Sequence, residues 1–214
     1  MEDIILYGSG GMAREVVELI EDINKIEPRW NIRGYIDDIK GNCEEVIHGY
    51  RILGTGEILK DLSGTTCIVI AISDPAAKES IYEKIKSFDI RFPVLIHPSA
   101  RVAEDAQIGE GSVIGIDCII STGVYIGRHV FLNMRTVVGH DTVLHDFCSC
   151  LVNCIIAGGV LIKDCSLLGS GCIIMEKKVL GRNCKISMGS IVSFNVEDHY
   201  VVLSRPSKSM NFGE

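Results

Sequence analysis

Two histidine–aspartate pairs are the groups in this chain whose types and spacing suit acid–base chemistry. They are His140-Asp141 and His145-Asp146, and both lie within residues 140–146. Histidine ionises near neutral pH, so its ring can take a proton from an attacking amine or hydroxyl. A carboxylate on the other ring nitrogen fixes the tautomer and stabilises the imidazolium that forms. This arrangement suits acyl transfer, in which the acceptor must lose a proton as it attacks.

The other four histidines are expected to have no catalytic role. His97 precedes a proline and therefore lies in extended backbone, which favours a structural role. His48 and His199 lie in polar, loop-like segments and are expected to be solvated. His129 occupies a turn position of a sequence repeat and is expected at the surface.

A six-residue repeat runs through the C-terminal half of the chain and sets the positions of the paired histidines. Taking every sixth residue from 96 to 192, sixteen of the seventeen positions hold Ile, Leu or Val. The exception is Cys150. A period of six matches neither the 3.6-residue period of a helix nor the two-residue alternation of a hairpin strand. The repeat therefore predicts a solenoid of very short strands with a bend in every unit.

Small residues follow four positions after most of the aliphatic ones, and glycine often follows the aliphatic residue directly. Each hexapeptide thus carries one large inward side chain, one small inward side chain and a turn. Six of the nine cysteines fit this pattern: Cys150 takes the large position, and the small position holds Cys118, Cys148, Cys154, Cys172 and Cys184. Buried thiols in such positions act as small apolar groups. We therefore expect a reduced chain with neither a structural disulfide nor a metal site.

Residues 3–90 have a different pattern, in which short apolar runs alternate with helical spacing. The predicted strands are Asp3–Tyr7, Ile32–Ile36 and Cys67–Ile72, and helical patterns cover residues 14–23 and Ala76–Ser87. Such alternation predicts a small parallel sheet with helices. The segment is too short for a six-stranded dinucleotide fold, so a mononucleotide or a nucleotide sugar fits it better than NAD.

A glycine-rich turn follows the first predicted strand. Gly8, Gly10 and Ala13 fit the pattern G-x-G-x-x-A, in which glycine lets backbone N–H groups approach a phosphate at a helix N-terminus. Ligands of parallel sheets bind at the carboxyl ends of the strands. The expected nucleotide or sugar contacts are therefore Gly8, Ser9, Gly10, Gly11, Met12, Asp37, Asp38 and Ser73. The motif alone is equally compatible with a tight turn that binds no ligand.

The repeat is similar to that of the hexapeptide-repeat acyltransferases, which form a left-handed parallel β-helix with three hexapeptides in each coil. Asn133, Gly139-His140-Asp141 and Gly158-Gly159 narrow the resemblance to the NeuD/PglD-type sugar acetyltransferases. Further matching segments are Tyr35-Ile36-Asp37-Asp38, Leu53-Gly54-Thr55, His97-Pro98 and Arg205-Pro206-Ser207-Lys208. The resemblance implies an α/β Rossmann-like nucleotide-binding half-fold over residues 1–92 and a left-handed parallel β-helix over residues 93–214. It also implies acetyl-CoA as acyl donor, a sugar or nucleotide-sugar acceptor and a homotrimer.

The same resemblance assigns roles to individual residues. His140 matches the general base of the family, and Asp141 the acid that raises its basicity. Ser149, Ser170 and Met188 match acetyl-CoA contacts. Gly158 lies 18 residues after His140, so it stacks one coil later and leaves its backbone open to the thioester carbonyl. Members that act on UDP-amino sugars carry histidine where this chain has Met12 and Ser149, so N-transfer and O-transfer both stay open.

Two other functions are compatible with these residues. Gamma-class carbonic anhydrases use the same β-helix and bind zinc through histidines that include an H-x4-H pair, the spacing of His140 and His145. Catalytic zinc needs a third protein ligand, and the residue 36 positions before His140 is Glu104 rather than histidine. The second alternative is a trimeric nucleotide-sugar binding protein that has lost transfer activity.

Composition argues against nucleic-acid and membrane partners. The chain has 214 residues, a net charge of −7 and only 6% aromatic residues, whereas nucleic-acid surfaces need dense Lys and Arg. Its apolar runs fall short of the roughly 18–20 residues of a membrane span. The N-terminus opens with two acidic residues rather than the basic start of a secretory signal. We therefore expect a cytoplasmic protein.

Outward-facing apolar residues in the repeat predict self-association. Val113, Ile119, Tyr125, Phe131 and Ile155 occupy outward positions and would be exposed in a single chain. Large exposed apolar patches usually mark interfaces. Together with the resemblance, this predicts a homotrimer that binds acetyl-CoA between neighbouring subunits.

Overall fold

The computed structural model describes residues 1–41, 44–62 and 66–204. Its N-terminal part is a five-stranded sheet with strand order β3-β4-β2-β1-β5, in which only β3 runs antiparallel. The elements are β1 (Glu2–Tyr7), α1 (Gly11–Ile26), β2 (Trp30–Ile36), β3 (Val46–Ile47), β4 (Tyr50–Gly54), a 3-10 helix (Gly56–Asp61), β5 (Cys67–Ile70) and α2 (Pro75–Ile85). The predicted half-fold is therefore confirmed.

The glycine turn between β1 and α1 has a steric cause. Gly8 has a φ of +106°, and a Cβ at this position would lie 2.8 Å from the Cγ1 of Ile72. Only glycine fits both the backbone angle and the space. The second helix starts differently, because the Asp74 side chain accepts a hydrogen bond from the N–H of Ala77 and Pro75 occupies the first turn.

The C-terminal part is a triangular parallel β-helix, here called the prism, built from two-residue strands. The covered face consists of β6 (Leu95–Ile96), β9 (Val113–Ile114), β12 (Phe131–Leu132), β15 (Ser149–Cys150), β18 (Leu167–Leu168), β21 (Lys185–Ile186) and β23 (Val201–Val202). The isoleucine face consists of β7 (Arg101–Val102), β10 (Ile119–Ile120), β13 (Val137–Val138), β16 (Ile155–Ile156), β19 (Ile173–Ile174) and β22 (Ile191–Val192). The third face consists of β8 (Gln107–Ile108), β11 (Tyr125–Ile126), β14 (Val143–Leu144), β17 (Leu161–Ile162) and β20 (Val179–Leu180).

Three edges join these faces, and each edge is a stack of four-residue turns. The α1 edge joins the covered and isoleucine faces through residues 97–100, 115–118, 133–136, 151–154, 169–172 and 187–190. The histidine edge joins the isoleucine and third faces through residues 103–106, 121–124, 139–142, 157–160 and 175–178. The α2 edge joins the third and covered faces through residues 109–112, 127–130, 145–148, 163–166 and 181–184.

The second residue of almost every prism strand faces the core, as the hexapeptide pattern predicts. Cys150 shares this core with Leu132 and Leu168, its neighbours in the coils before and after. The five cysteines at the small positions are also fully buried there as free thiols. Paired strands are 18 residues apart until the last coil, where Ile186 pairs with Val202, only 16 residues further on.

The N-terminal domain packs on the covered face of the prism. Leu95, Val113 and Phe131 point outward from this face and share one apolar cluster with residues of β1 and α1. The predicted exposure of Val113 and Phe131 is therefore wrong, since both are at most 3% exposed beneath the N-terminal domain. Ile119 and Ile155 on the isoleucine face are 45% and 41% exposed, as predicted.

Helix α2 closes the α2 edge with a buried lysine. The Nζ of Lys78 donates to the carbonyl oxygen of His129 at 2.8 Å and to that of Cys148 at 3.1 Å. Lys78 is only 1% exposed, and burial lowers its pKa to about 8. The expectation that His129 lies at the surface is wrong, because α2 covers its ring and Tyr82 packs on it at 4.7 Å between ring centroids.

His97 ties α1 to the start of the prism, which agrees with the structural role expected for it. Its Nε2 lies 3.0 Å from Asp22, and its Nδ1 accepts the backbone N–H of Ser99 at 3.0 Å. His48 pairs with Glu18 at 3.1 Å. Among the helices of the described residues, none is long and apolar enough to cross a membrane.

Candidate active site

His140 and Asp141 form a hydrogen-bonded pair on the histidine edge of the prism. The Nδ1 of His140 lies 2.8 Å from the Oδ2 of Asp141, and both side chains are more than half exposed. Asp141 has a φ of +55°, the left-handed conformation that aspartate tolerates better than most residues. Orienting Nδ1 in this way leaves Nε2 free to accept a proton.

Gly158 lies against the ring of His140. A Cβ at this position would lie 2.5 Å from the Nε2 of His140, so a larger residue would displace the imidazole. The carbonyl of Gly158 accepts the N–H of Lys177 at 3.0 Å, whereas its own N–H has no hydrogen-bond partner in the described part of the chain. The histidine therefore lies next to a residue whose backbone N–H is unengaged, and a tetrahedral oxyanion requires a donor of this kind.

The second histidine–aspartate pair of the sequence is not a pair in the structure. Asp146 accepts two hydrogen bonds from the guanidinium of Arg128, at 2.9 and 2.6 Å. His145 lies on the α2 edge, 3.9 Å from Asp164 and across β14 from His140. Within residues 1–41, 44–62 and 66–204 of one chain, no three His, Cys, Asp or Glu side chains are placed to hold a metal ion.

Three of the four residues expected to bind acetyl-CoA lie on two different edges of the prism. Gly158 lies on the histidine edge, but Ser170 and Met188 stack on the α1 edge, where Gly189 donates its N–H to the carbonyl of Ser170 at 2.9 Å. Met188 is 68% exposed. Ser149 is on neither edge: it lies on the covered face, fully buried, and its Oγ has no hydrogen-bond partner among the described residues.

The carboxyl ends of β1, β2 and β5 bring together the residues expected to contact a nucleotide. Gly10 is the N-cap residue of α1 and has no side chain that could bond the first backbone N–H groups of the helix. These N–H groups therefore face the loop. Gly8 to Met12 follow β1, Asp37 and Asp38 follow β2, and Ser73 follows β5. This is the position at which open α/β sheets bind phosphorylated ligands.

Both aspartates of this loop cluster are engaged by the protein itself. Asp37 accepts the hydroxyl of Ser9 and the N–H groups of Ile39 and Lys40. Burial alone would raise the pKa of Asp37, but these hydrogen bonds outweigh burial and hold it below the usual value. Asp38 accepts the hydroxyl of Tyr7 at 2.8 Å and the N–H of Gly56 at 2.9 Å. The carboxylates thus fix the loops that surround the glycine turn.

Sequence reasoning missed a cavity of about 630 Å³ between α1 and the α1 edge. It extends from Gly11 along the helix to His97, and Asn133 and Met134 line its prism side. The amide nitrogen of Asn133 donates to the carboxylate of Glu15 at 3.1 Å, which joins the two walls. The available signal was the run of acids on one face of α1, Glu15, Glu18 and Asp22, all of which line the cavity.

One chain does not bring the glycine loop and His140 together. Helix α1 lies over the α1 edge, whereas His140 stands on the histidine edge, on the far side of the isoleucine face. Arg205-Pro206-Ser207-Lys208, part of the sequence resemblance, lies outside the described residues.

Comparison with known proteins supports the two-part architecture. Residues 3–85 match the sequence family described as the PglD N-terminal domain. GDP-perosamine N-acetyltransferase from Escherichia coli O157:H7 is 25% identical over 172 residues, which cover 80% of this chain and 77% of that protein.

Two solved structures share the fold over nearly the whole chain. One is the acetyltransferase domain of PglB from Neisseria gonorrhoeae FA1090 in complex with acetyl coenzyme A, with a TM-score of 0.87, 25% identity and coverage of 98% of this chain and 99% of that one. The other is a point mutant of perosamine N-acetyltransferase from Caulobacter crescentus in complex with CoA and GDP-perosamine, with a TM-score of 0.87, 22% identity and coverage of 97% and 96%. These similarities confirm the two-domain fold and agree with the family resemblance inferred from the sequence.

Proposed function

We propose, from the similarity of this chain to the NeuD/PglD-type sugar acetyltransferases, that it transfers the acetyl group of acetyl-CoA to an amine or hydroxyl of a nucleotide-activated sugar. The names of its relatives support the substrate class, since they include a GDP-perosamine N-acetyltransferase and an acetyltransferase domain bound to acetyl coenzyme A. The observation that carries the proposal is the His140–Asp141 pair at 2.8 Å beside the unengaged N–H of Gly158.

His140 acts as the general base in this proposal. Its Nε2 takes the proton of the acceptor as the acceptor nitrogen or oxygen attacks the thioester carbonyl. Asp141 holds Nδ1–H and stabilises the imidazolium. When the tetrahedral intermediate collapses, the carbon–sulfur bond breaks and the CoA sulfur leaves with the proton that the imidazolium returns.

In this proposal Gly158 stabilises the negative charge that develops on the thioester oxygen. The carbonyl oxygen of the thioester becomes an oxyanion in the intermediate, and in this proposal the unengaged N–H of Gly158 donates to it. Removing one such donor from an acyl-transfer site typically lowers kcat by about 10²–10³. A glycine is needed because the imidazole occupies the space that a side chain would fill.

A complete site requires a second copy of the chain. His140 and Gly158 stand on the histidine edge, whereas Ser170 and Met188 belong to the α1 edge. The glycine loop lies at the start of helix α1, which packs beside that second edge. The isoleucine face lies between these edges and exposes Ile119, Ile155 and Ile191. Packing through this apolar face in a homotrimer places the histidine edge of one subunit beside the α1 edge of the next.

The test is acetyl-CoA turnover with a panel of nucleotide sugars that includes GDP-perosamine. The expected result is release of free CoA together with a product heavier by one acetyl group. Nucleotide-sugar binding without turnover would support the non-catalytic alternative, in which the fold is retained for binding. Stoichiometric zinc together with bicarbonate formation from carbon dioxide would support the hydratase instead.

A further inference from the structure

The cavity beside α1 continues the proposed nucleotide site. Its lining starts at Gly11, which belongs to the glycine turn, and follows the helix past Glu15 and Leu19. Val113 and Phe131 line its prism side together with Asn133. A nucleotide whose phosphates lie at the N-terminus of α1 would therefore direct its sugar into a pocket with an apolar floor and a few polar groups, the usual composition of a small-molecule site.

The acidic side chains along the cavity differ in how many hydrogen-bond or ion-pair partners the protein provides for them. Glu18 pairs with His48 at 3.1 Å, and Asp22 pairs with His97 at 3.0 Å. Glu15 has a single partner among the described residues, the amide nitrogen of Asn133 at 3.1 Å on one carboxylate oxygen. The second oxygen of Glu15 is therefore available to a ligand.

Arg14 and Glu15 divide the pocket by charge. The guanidinium of Arg14 lies near Gly11, 3.8 Å from where a Cβ of that residue would stand, which suits the phosphate end of a nucleotide sugar. The carboxylate of Glu15 faces the prism instead, next to Asn133. A ligand held between the two is anionic at one end and cationic at the other, as an amino-sugar nucleotide is.

His140 of a partner subunit would reach this pocket at the same level along the prism axis as Asn133. Asn133 and His140 belong to the same coil of the prism, on either side of β13. In a homotrimer whose threefold axis is parallel to the prism axis, rotation about that axis leaves heights along the prism unchanged. His140 of the partner subunit would then stand opposite Asn133 at the mouth of the cavity.

We propose that this cavity holds the sugar ring of the acceptor and that Glu15 makes the enzyme selective for an amine over a hydroxyl at the acetylated carbon; this rests on the proposed function. A sugar amine is largely protonated at neutral pH, and its nitrogen again becomes positive when it attacks the thioester. The carboxylate of Glu15 stabilises both charges, whereas a hydroxyl gains nothing comparable. A charge-assisted hydrogen bond of this kind corresponds to a kcat/KM that is roughly 10- to 100-fold higher for the amine acceptor than for the hydroxyl acceptor.

The test measures wild type and the Glu15→Gln variant on two acceptors. One is an amino-sugar nucleotide, and the other is its counterpart that carries a hydroxyl in place of the amine. The probe is GDP-perosamine, or the amino sugar that the turnover panel identifies. Gln keeps an oxygen for Asn133 and removes only the charge. The expected result is a kcat/KM for the amine acceptor that falls roughly 10- to 100-fold, a value for the hydroxyl acceptor that stays within about threefold, and an unchanged KM for acetyl-CoA.

A matched control makes the same chemical change away from the cavity. Glu83→Gln on α2, which removes an exposed ion pair with Lys86, should leave both acceptors unaffected. Ile116→Trp fills the mouth of the cavity from the prism side and should raise the KM of the amine acceptor at least tenfold while acetyl-CoA binding persists.

Three results would overturn the inference while the proposed function stands. They are a Glu15→Gln enzyme with wild-type selectivity, a wild type that acetylates the hydroxyl sugar equally well, and an Ile116→Trp enzyme with normal acceptor KM. Loss of acetyl-CoA binding in Glu15→Gln would also overturn it, because the residue would then be structural. A wild type that acetylates no sugar at all would instead defeat the proposed function.

Discussion

The imidazole of His140 occupies the space that a side chain at residue 158 would need. The two residues are one coil apart, and a Cβ on Gly158 would lie 2.5 Å from the Nε2 of His140. The proposed general base and the residue proposed to supply the oxyanion donor therefore lie side by side, and any side chain at residue 158 would meet the ring.

Gly158→Ala should therefore damage catalysis more than stability. The added methyl group pushes the ring away from the acceptor, and a displacement near 1 Å can cost on the order of 10² in rate. We expect kcat to fall about 100-fold while the thermal unfolding midpoint shifts little, since the residue lies on the exposed edge. Steady-state kinetics and calorimetry on the same preparation check this, and a fully active variant would show that the imidazole does not act from this position.

His140→Ala should lower kcat by about 10²–10⁴, the range for loss of a general base. The KM for acetyl-CoA should barely change, because the donor is held by the prism edges. Asp141→Asn should cost less, as this residue only orients and stabilises the ring. A His140→Ala enzyme with full activity would show that His140 is not the general base.

His145→Ala is the matched control for His140, since it removes an exposed histidine five positions away on a different edge. We expect a loss of less than about threefold, because surface substitutions away from special features rarely exceed about 0.5 kcal/mol. Elemental analysis of the same protein provides the discriminating measurement. An inactive His145→Ala variant of a zinc-containing wild type would favour the hydratase.

The isoleucine face should hold the trimer together. Ile155→Glu places a charge in the centre of this face, where the wild-type side chain is 41% exposed in the single chain. An unpaired buried charge is strongly unfavourable, so the variant should dissociate at micromolar concentration. Light scattering should report a trimer for wild type and about 23.4 kDa for the variant. A monomeric wild type would contradict both the trimer and the shared site.

Acid should weaken the contact between α2 and the prism through His129. Burial, followed by the charges of Lys78 and Arg128, lowers the pKa of His129 to about 3, whereas an unfolded histidine ionises near 6.5. Between about pH 3 and pH 6.5 the unfolded chain binds a proton on this histidine that the native chain does not. The stability contributed by the buried, neutral His129 is therefore complete above about pH 6.5 and is lost progressively as the pH falls toward 3. The slope is about 1.4 kcal/mol per pH unit.

Urea unfolding at several pH values measures this slope, with His129→Phe as the comparison. Phenylalanine suits the cluster of Tyr82, Phe92 and Phe147 and cannot titrate. Its unfolding free energy should depend less on pH below 6.5 than that of wild type. Identical slopes for the two proteins would show that His129 is protonated without cost in the folded state.

The hexapeptide period was sufficient to predict a solenoid and its inward residues, and the family resemblance supplied its three-sided form. Cys150 could be placed in the core because it falls in phase with Leu132 and Leu168. The pairing of His140 with Asp141 was predicted from the family resemblance and not from adjacency alone, since His145 and Asp146 are also adjacent and do not pair.

Contacts between the two domains could not be predicted in the same way. Nothing in the repeat distinguishes the covered face from the other two, so Val113 and Phe131 had the same expected exposure as Ile119. The burial of His129 and the cavity beside α1 follow from how the N-terminal domain sits on the prism. That geometry depends on residues far apart in sequence, such as Glu15 and Asn133.

The buried ammonium of Lys78 has a consequence for the order of events during synthesis. Its two carbonyl partners lie 51 and 70 residues further along the chain, so α2 emerges from the ribosome long before they exist. At about 5–20 residues per second, Lys78 waits on the order of ten seconds for both partners. The N-terminal domain therefore completes its packing only after the third coil of the prism has been made, and its maturation is coupled to the growth of the domain that follows it.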